Sequence, residues 1–119
     1  MCHVRVTVEI ANPVDRARSV TVDNALIGTG ETRTTISRDL ALELGLEVLG
    51  SRNGNTAAGL SRIDQSHALI RLDDRQSFND VLISDTYPGV FIGVVTLEAM
   101  ALGVDPINQR LIDVEQLLL

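Results

Sequence analysis

The sequence predicts a mainly β protein: a small closed barrel carrying one or two short helices. Three observations predict it. Apolar stretches of strand length recur along the chain, punctuated by turn signals. Only two segments carry helical spacing, and both are short. One unit also occurs twice, an apolar-apolar-Gly step followed by a helix, in "LIG…ISRDLALELG" and "FIG…TLEAMALG". A doubled unit of that kind fits a two-halved barrel better than a βαβ sheet.

The elements follow in order. His3 to Ile10, "HVRVTVEI", alternates strictly, with Val4, Val6, Val8 and Ile10 on one face and Arg5, Thr7 and Glu9 on the other. That is the period of a half-buried strand. Asn12-Pro13 breaks it, and "VTVDNALI" resumes extended structure with a kink or turn at Asp23-Asn24. A Gly-Thr-Gly turn follows, then a short strand at Thr34 to Ile36. Ser37 is a good N-cap for "RDLALELGL", where Leu40 and Leu44 lie one turn apart and Gly45 is a natural stop. From Glu47 to Leu72 the chain reads as strands bent around Gly and Asn. Asn53-Gly54 carries a tight-turn signal, and Ala57-Ala58-Gly59 a second, flexible turn. "SHALIRL", an Asp73-Asp74 turn and "SFNDVLI" give two further strands, and "DTYPG" a loop. Val90 to Val94 is a short buried strand. Thr96 is expected to cap a second helix, "LEAMAL", ended by Gly103. "VDPINQRLI" reads as strand, turn and strand.

At 119 residues the chain is expected to form one domain, 1–119. Apolar residues make up 45% of it, but aromatics only 3%, so Val, Ile, Leu and Ala must fill the core. The net charge of −6, with ten scattered arginines as the basic residues, argues against nucleic acid, which needs a clustered basic surface. Cys2 is the single cysteine and has no internal partner, which fits a reducing, cytoplasmic setting. Cys2, His3 and His67 are too few and too far apart for a metal cluster, and no cofactor is expected. No signal-peptide core and no apolar run of membrane length is present.

The two echoes carry a resemblance. Leu26-Ile27 leads into Gly28-Thr29-Gly30, then Glu31 and Thr34; Phe91-Ile92-Gly93 leads into Thr96 to Leu102. In order and spacing, from Val4 to Val114, this resembles the retropepsin-like aspartic peptidases, above all their small non-viral single-domain members. In that family an apolar pair leads into Asp-Thr-Gly. The resemblance implies a retropepsin-like closed β-barrel that is one half of a homodimeric aspartic protease. It places the catalytic turn at Gly28, Thr29 and Gly30, and a flap hairpin at Thr56, Ala57, Ala58 and Gly59. It implies that Glu31, Arg33 and Ile92 contact substrate.

One residue departs from the pattern. Each subunit of such an enzyme is implied to give one Asp to a shared dyad, and two carboxylates about 3 Å apart hold one proton between them. One then activates water while the other polarises the scissile carbonyl. Here Gly28 stands at the matching position, with no side chain to hold a proton, and in a homodimer both halves of the dyad go together. The chain as it stands is therefore expected to be proteolytically inactive. Glu31, where the family usually has Ala, is placed for a charged rim or plain surface rather than for the dyad's tightly set geometry. Asp85-Thr86 is followed by Tyr87, and reads as loop.

Three functions follow from the resemblance: a pseudo-peptidase whose homodimer holds an extended peptide by strand addition, with Glu31 and Arg33 biasing the choice; an active-site-substituted form of a genuine aspartic endopeptidase; or a structural or regulatory dimer with a vestigial cleft. From a different class, "GTGETR" after a strand suggests a phosphate-cradling loop, but Arg33 stands where a dinucleotide fingerprint wants Gly, and the Gly-Lys-Ser/Thr of a P-loop is absent. The strand-like, apolar ends "HVRVTV" and "VEQLLL" are expected to pair across the dimer axis.

Overall fold

The computed structural model describes residues 4–28, 32–56 and 59–114, with the side chain of Thr56 excepted. The alternation at the N-terminus forms β1 (Val4–Ala11), which pairs antiparallel with β2 (Ser19–Ile27). Val6 pairs with Ala25 and Val8 with Val22, so Thr7 faces both Asp23 and Asn24 across a β-bulge. The kink expected at Asp23-Asn24 is this bulge; β2 runs through it unbroken. Next come β3 (Thr34–Ser37) and α1 (Arg38–Leu44). Ser37 caps α1 by accepting from the Leu40 N–H at 3.3 Å, and Gly45 ends it in the left-handed region at φ 65°.

A long hairpin follows, β4 (Gly50–Thr56) against β5 (Gly59–Leu72), then β6 (Arg75–Ser84) after the Asp73-Asp74 turn. The chain continues through β7 (Val90–Ile92), α2 (Val94–Ala99), β8 (Leu102–Asp105) and β9 (Arg110–Asp113). The main sheet runs β1-β2-β7-β3-β6-β5-β4, and β1 also pairs with β5. Six strands thus close into a barrel, mixed because β2–β7 and β3–β6 are parallel. β4 hangs outside the closure as an edge strand, and β8–β9 forms a separate ribbon.

The barrel is filled as the composition requires. Ile10, Ile27, Ile36, Leu44, Ile70, Val81, Ile83 and Ile92 are fully or almost fully buried. Each such side chain contributes about 1.5–3 kcal/mol by leaving water. No aromatic ring is among the buried core residues.

Three local expectations need correction. Asn53-Gly54 is not a turn: Asn53 pairs with Arg62 and Gly54 with Ser61 inside the hairpin. A Cβ on Gly54 would come 2.5 Å from Ile63 Cδ1, so this glycine makes room for a neighbouring side chain. Thr96 does not cap α2. The helix starts earlier, from Gly93, which supplies no side-chain cap, and Thr96 lies inside it, buried. Gly103 sits in β8, and the helix ends before it, at Met100.

Candidate functional site

The site is built where β2 ends beside β7. These strands run parallel, with Leu26 opposite Phe91 and Ile27 opposite Ile92, and the Gly28 N–H donates to the Ile92 carbonyl at 3.3 Å. On the other side of β7, Thr35 pairs with Phe91. Gly28 therefore lies at the mouth of the barrel, on a rigid three-strand floor.

The return from the turn is fixed by buried polar contacts. Thr34 and Thr96 are both buried, and their hydroxyls share a hydrogen bond of 2.6 Å. The Thr34 hydroxyl also accepts from the Gly93 N–H at 3.1 Å. The Val95 N–H donates to the Thr32 carbonyl at 3.0 Å. Gly93 permits this approach: a Cβ there would come 2.5 Å from the Arg33 carbonyl carbon and 2.7 Å from the Thr32 oxygen. The start of α2 is thus clamped against the backbone that leads out of the turn.

Above Gly28 lies an aromatic ring. A Cβ built on Gly28 would overlap Cζ and Cε1 of Phe91 and come 3.1 Å from Cε2. The ring is half-buried and meets Tyr87 edge to face, with centroids 6.1 Å apart. Any side chain at position 28 must therefore displace Phe91. Sequence reasoning missed Phe91 and singled out its neighbour Ile92. Ile92 is fully buried in the barrel and so cannot line a cleft; alternation along β7 turns Phe91 the other way. That alternation, set by the apolar residues on either side of Phe91, is a signal that could have found it.

Arg33 immediately precedes β3. With the Gln65 side-chain oxygen turned toward it, Arg33 Nη1 donates to that oxygen at 2.7 Å, and Arg52 Nη2 of β4 donates to the same oxygen at 3.1 Å. This brings the turn and the hairpin together. The hairpin closes with Thr56 opposite Gly59, whose φ of 107° suits glycine. Thr29, Gly30, Glu31, Ala57 and Ala58 lie outside the described residues.

The hairpin's base is anchored on the other face of β5. Asp64 is buried and accepts from Ser51 (2.6 Å), Arg38 (2.6 Å) and Arg62 (3.0 Å). Arg38 also reaches Asp85 at 2.8 Å, so the Asp of the Asp85-Thr86 pair serves an ion pair. The Ser51 hydroxyl, with the two guanidinium groups, holds the Asp64 carboxyl down to about 2, against the opposing effect of burial. Among the described residues no group of three His, Cys, Asp or Glu side chains could hold a metal ion. No helix among them is long and apolar enough to cross a membrane.

No protein-family model and no curated protein sequence matches the chain. Solved structures do. EIAV protease, determined with the inhibitor HBY-793, aligns with a TM-score of 0.57 at 17% identity, over 81% of this chain and 86% of that one. Simian foamy virus protease gives 0.56 at 15% identity, over 79% and 91%. The retroviral protease-like domain of Ddi1 from Leishmania major gives 0.57 at 15% identity, over 92% and 88%. At these identities the likeness shows the fold, which is that of retroviral proteases.

Proposed function

We propose that this chain is a non-catalytic member of the retropepsin fold: a homodimer that holds an extended peptide in the cleft where an aspartic peptidase would cut one. Gly28 then stands at the position of the dyad Asp. The observation that carries this reading is the Phe91 ring over Gly28. The floor offers an aromatic surface where the chemistry needs a carboxylate, and that surface closes the volume a carboxylate would use. An active-site-substituted peptidase would need the Phe91 ring to swing aside before Asp could stand at position 28.

The hairpin supplies the holding surface. β4 pairs only with β5 among the described residues, leaving its outer main-chain donors and acceptors on a sheet edge. An extended peptide adds to such an edge through main-chain hydrogen bonds, and alternate side chains are read by what lies beneath them. Here Arg33 is the residue tied to β4, through Gln65 and Arg52.

A mixed peptide pool tests this, incubated with the chain from about pH 4 to 7, the range in which a carboxylate dyad works. Binding by fluorescence anisotropy with no new peptide ends by mass spectrometry is expected. Cleavage blocked by a transition-state inhibitor of aspartic peptidases would overturn the reading. Intact dimers that bind no peptide would point instead to a structural role.

A further inference from the structure

We infer that Arg33 and Arg52, gathered on the Gln65 amide, form a binding site for a carboxylate, and that the peptide held in the cleft carries an acidic side chain there. The second half rests on the peptide-binding reading above; the first stands on the geometry alone.

With the Gln65 amide turned so that its oxygen faces them, the orientation that satisfies both cations, two guanidinium groups donate to one neutral oxygen, at 2.7 and 3.1 Å. An amide oxygen orients both cations but neutralises neither, so two like charges are held side by side. Other arginines are held singly: Arg5 and Arg18 donate to main-chain carbonyls, and Arg16 lies over the Phe78 ring. Arg38, Arg62, Arg71, Arg75 and Arg110 each pair with a carboxylate, and the whole chain is acidic at −6. Arg33 and Arg52 pair with no carboxylate among the described residues. A guanidinium carries five N–H donors in a planar fork, and each of these two spends one on Gln65. The rest suit a carboxylate, which accepts two parallel N–H bonds and would relieve the repulsion between the cations.

Placement points to a ligand in the cleft. Arg33 follows the turn that begins at Gly28, with its backbone pinned against Gly93. Arg52 projects from the edge strand β4, two residues along from Gly50, which faces Gln65. The pair therefore spans floor and hairpin; Arg33 is half-buried, so water screens it less than a surface arginine, while Arg52 is exposed and open to a ligand.

Two probes separate the two halves of the inference. The first is a matched pair of short extended peptide pools, identical except for a central Glu or Gln. The Glu pool is expected to bind about tenfold tighter, as charge-assisted hydrogen bonds warrant. That preference should collapse in Arg33→Gln and in Arg52→Gln, and shrink in Arg33→Lys, which keeps the charge but loses the fork. The second is N-acetyl-glutamate methylamide, titrated while the arginine Nε–Hε signals are followed by NMR, with the glutamine analogue as control. The glutamate compound alone is expected to shift the Arg33 and Arg52 signals. Pools that bind equally well would overturn the acidic side chain of the bound peptide, and, with the arginine signals also unmoved, the carboxylate site itself, while leaving peptide binding standing. Shifted arginine signals without binding of either pool would uphold the site and overturn its peptide occupant. Silence from both probes would overturn both halves.

Discussion

At position 28 a single residue carries the proposal. The sequence offers only the expectation that Gly28 takes the acid's place, because it stands in an otherwise familiar order of residues. It does not show that Phe91 has taken the space, since that contact joins residues far apart in the chain and depends on which face of β7 each side chain takes. Asp64 gives a second case. Its partners Ser51, Arg38 and Arg62 come from two strands and a helix, and nothing in their spacing announces them. Its consequence for stability can be worked out. The folded carboxyl ionises near 2 and the unfolded one near 3.8. Its contribution is therefore complete above about pH 4 and lost as the pH falls toward 2. The amount is on the order of 2 kcal/mol. The gap in stability between the native chain and Asp64→Asn, from urea titrations, should be wider at pH 6 than near pH 2 by about that amount. Parallel curves across the range would contradict it.

At the scale of elements, what was legible followed local rules. The helix α1 was readable because its cap, its Leu40–Leu44 spacing and its glycine stop are all local signals. The β5–β6 pair was readable from alternation and the Asp73-Asp74 turn. The errors fell where a long-range contact overrides local chemistry. Asn53-Gly54 has the residues of a tight turn, yet pairing with Arg62 and Ser61 keeps it extended, and Ile63 uses the space over the glycine. Thr96 has the residue type of a cap, yet Thr34 draws its hydroxyl into the interior, and the helix starts from Gly93 instead. That start is the least replaceable joint of the site. A methyl group on Gly93 would meet the backbone of Thr32 and Arg33, which cannot swing aside as a side-chain tip can. Gly93→Ala is expected to lower stability by about 2–4 kcal/mol, and to do so more than Gly54→Ala, whose obstacle is the mobile end of Ile63. Equal losses in thermal or urea unfolding would count against this ranking.

At the scale of the whole molecule, the barrel closes through pairings that no local stretch encodes: β1 with β5, and β7 inserted between β2 and β3. The doubled apolar-apolar-Gly unit was the sequence's one pointer to them, because both copies lead from a floor strand toward a helix. On our reading the molecule is complete only as a pair, with the two Gly28 turns facing one another. Light scattering on the purified chain at micromolar concentration should give twice 12.9 kDa. A mass of one chain there would remove the shared cleft from the account.

The central claim is that Phe91 sits where the acid's side chain would go. Its most direct measurement compares peptide cleavage by the native chain, Gly28→Asp, and Gly28→Asp combined with Phe91→Ala, with thermal unfolding run on each to confirm folding. The native chain and the single variant are expected to be silent, the first lacking the acid and the second holding it out of place against the ring. The double variant is expected to cleave, and to be stopped by a transition-state inhibitor. Full cleavage by Gly28→Asp alone would contradict the role given to Phe91, and a folded but silent double variant would contradict the assignment of Gly28 to the acid's position.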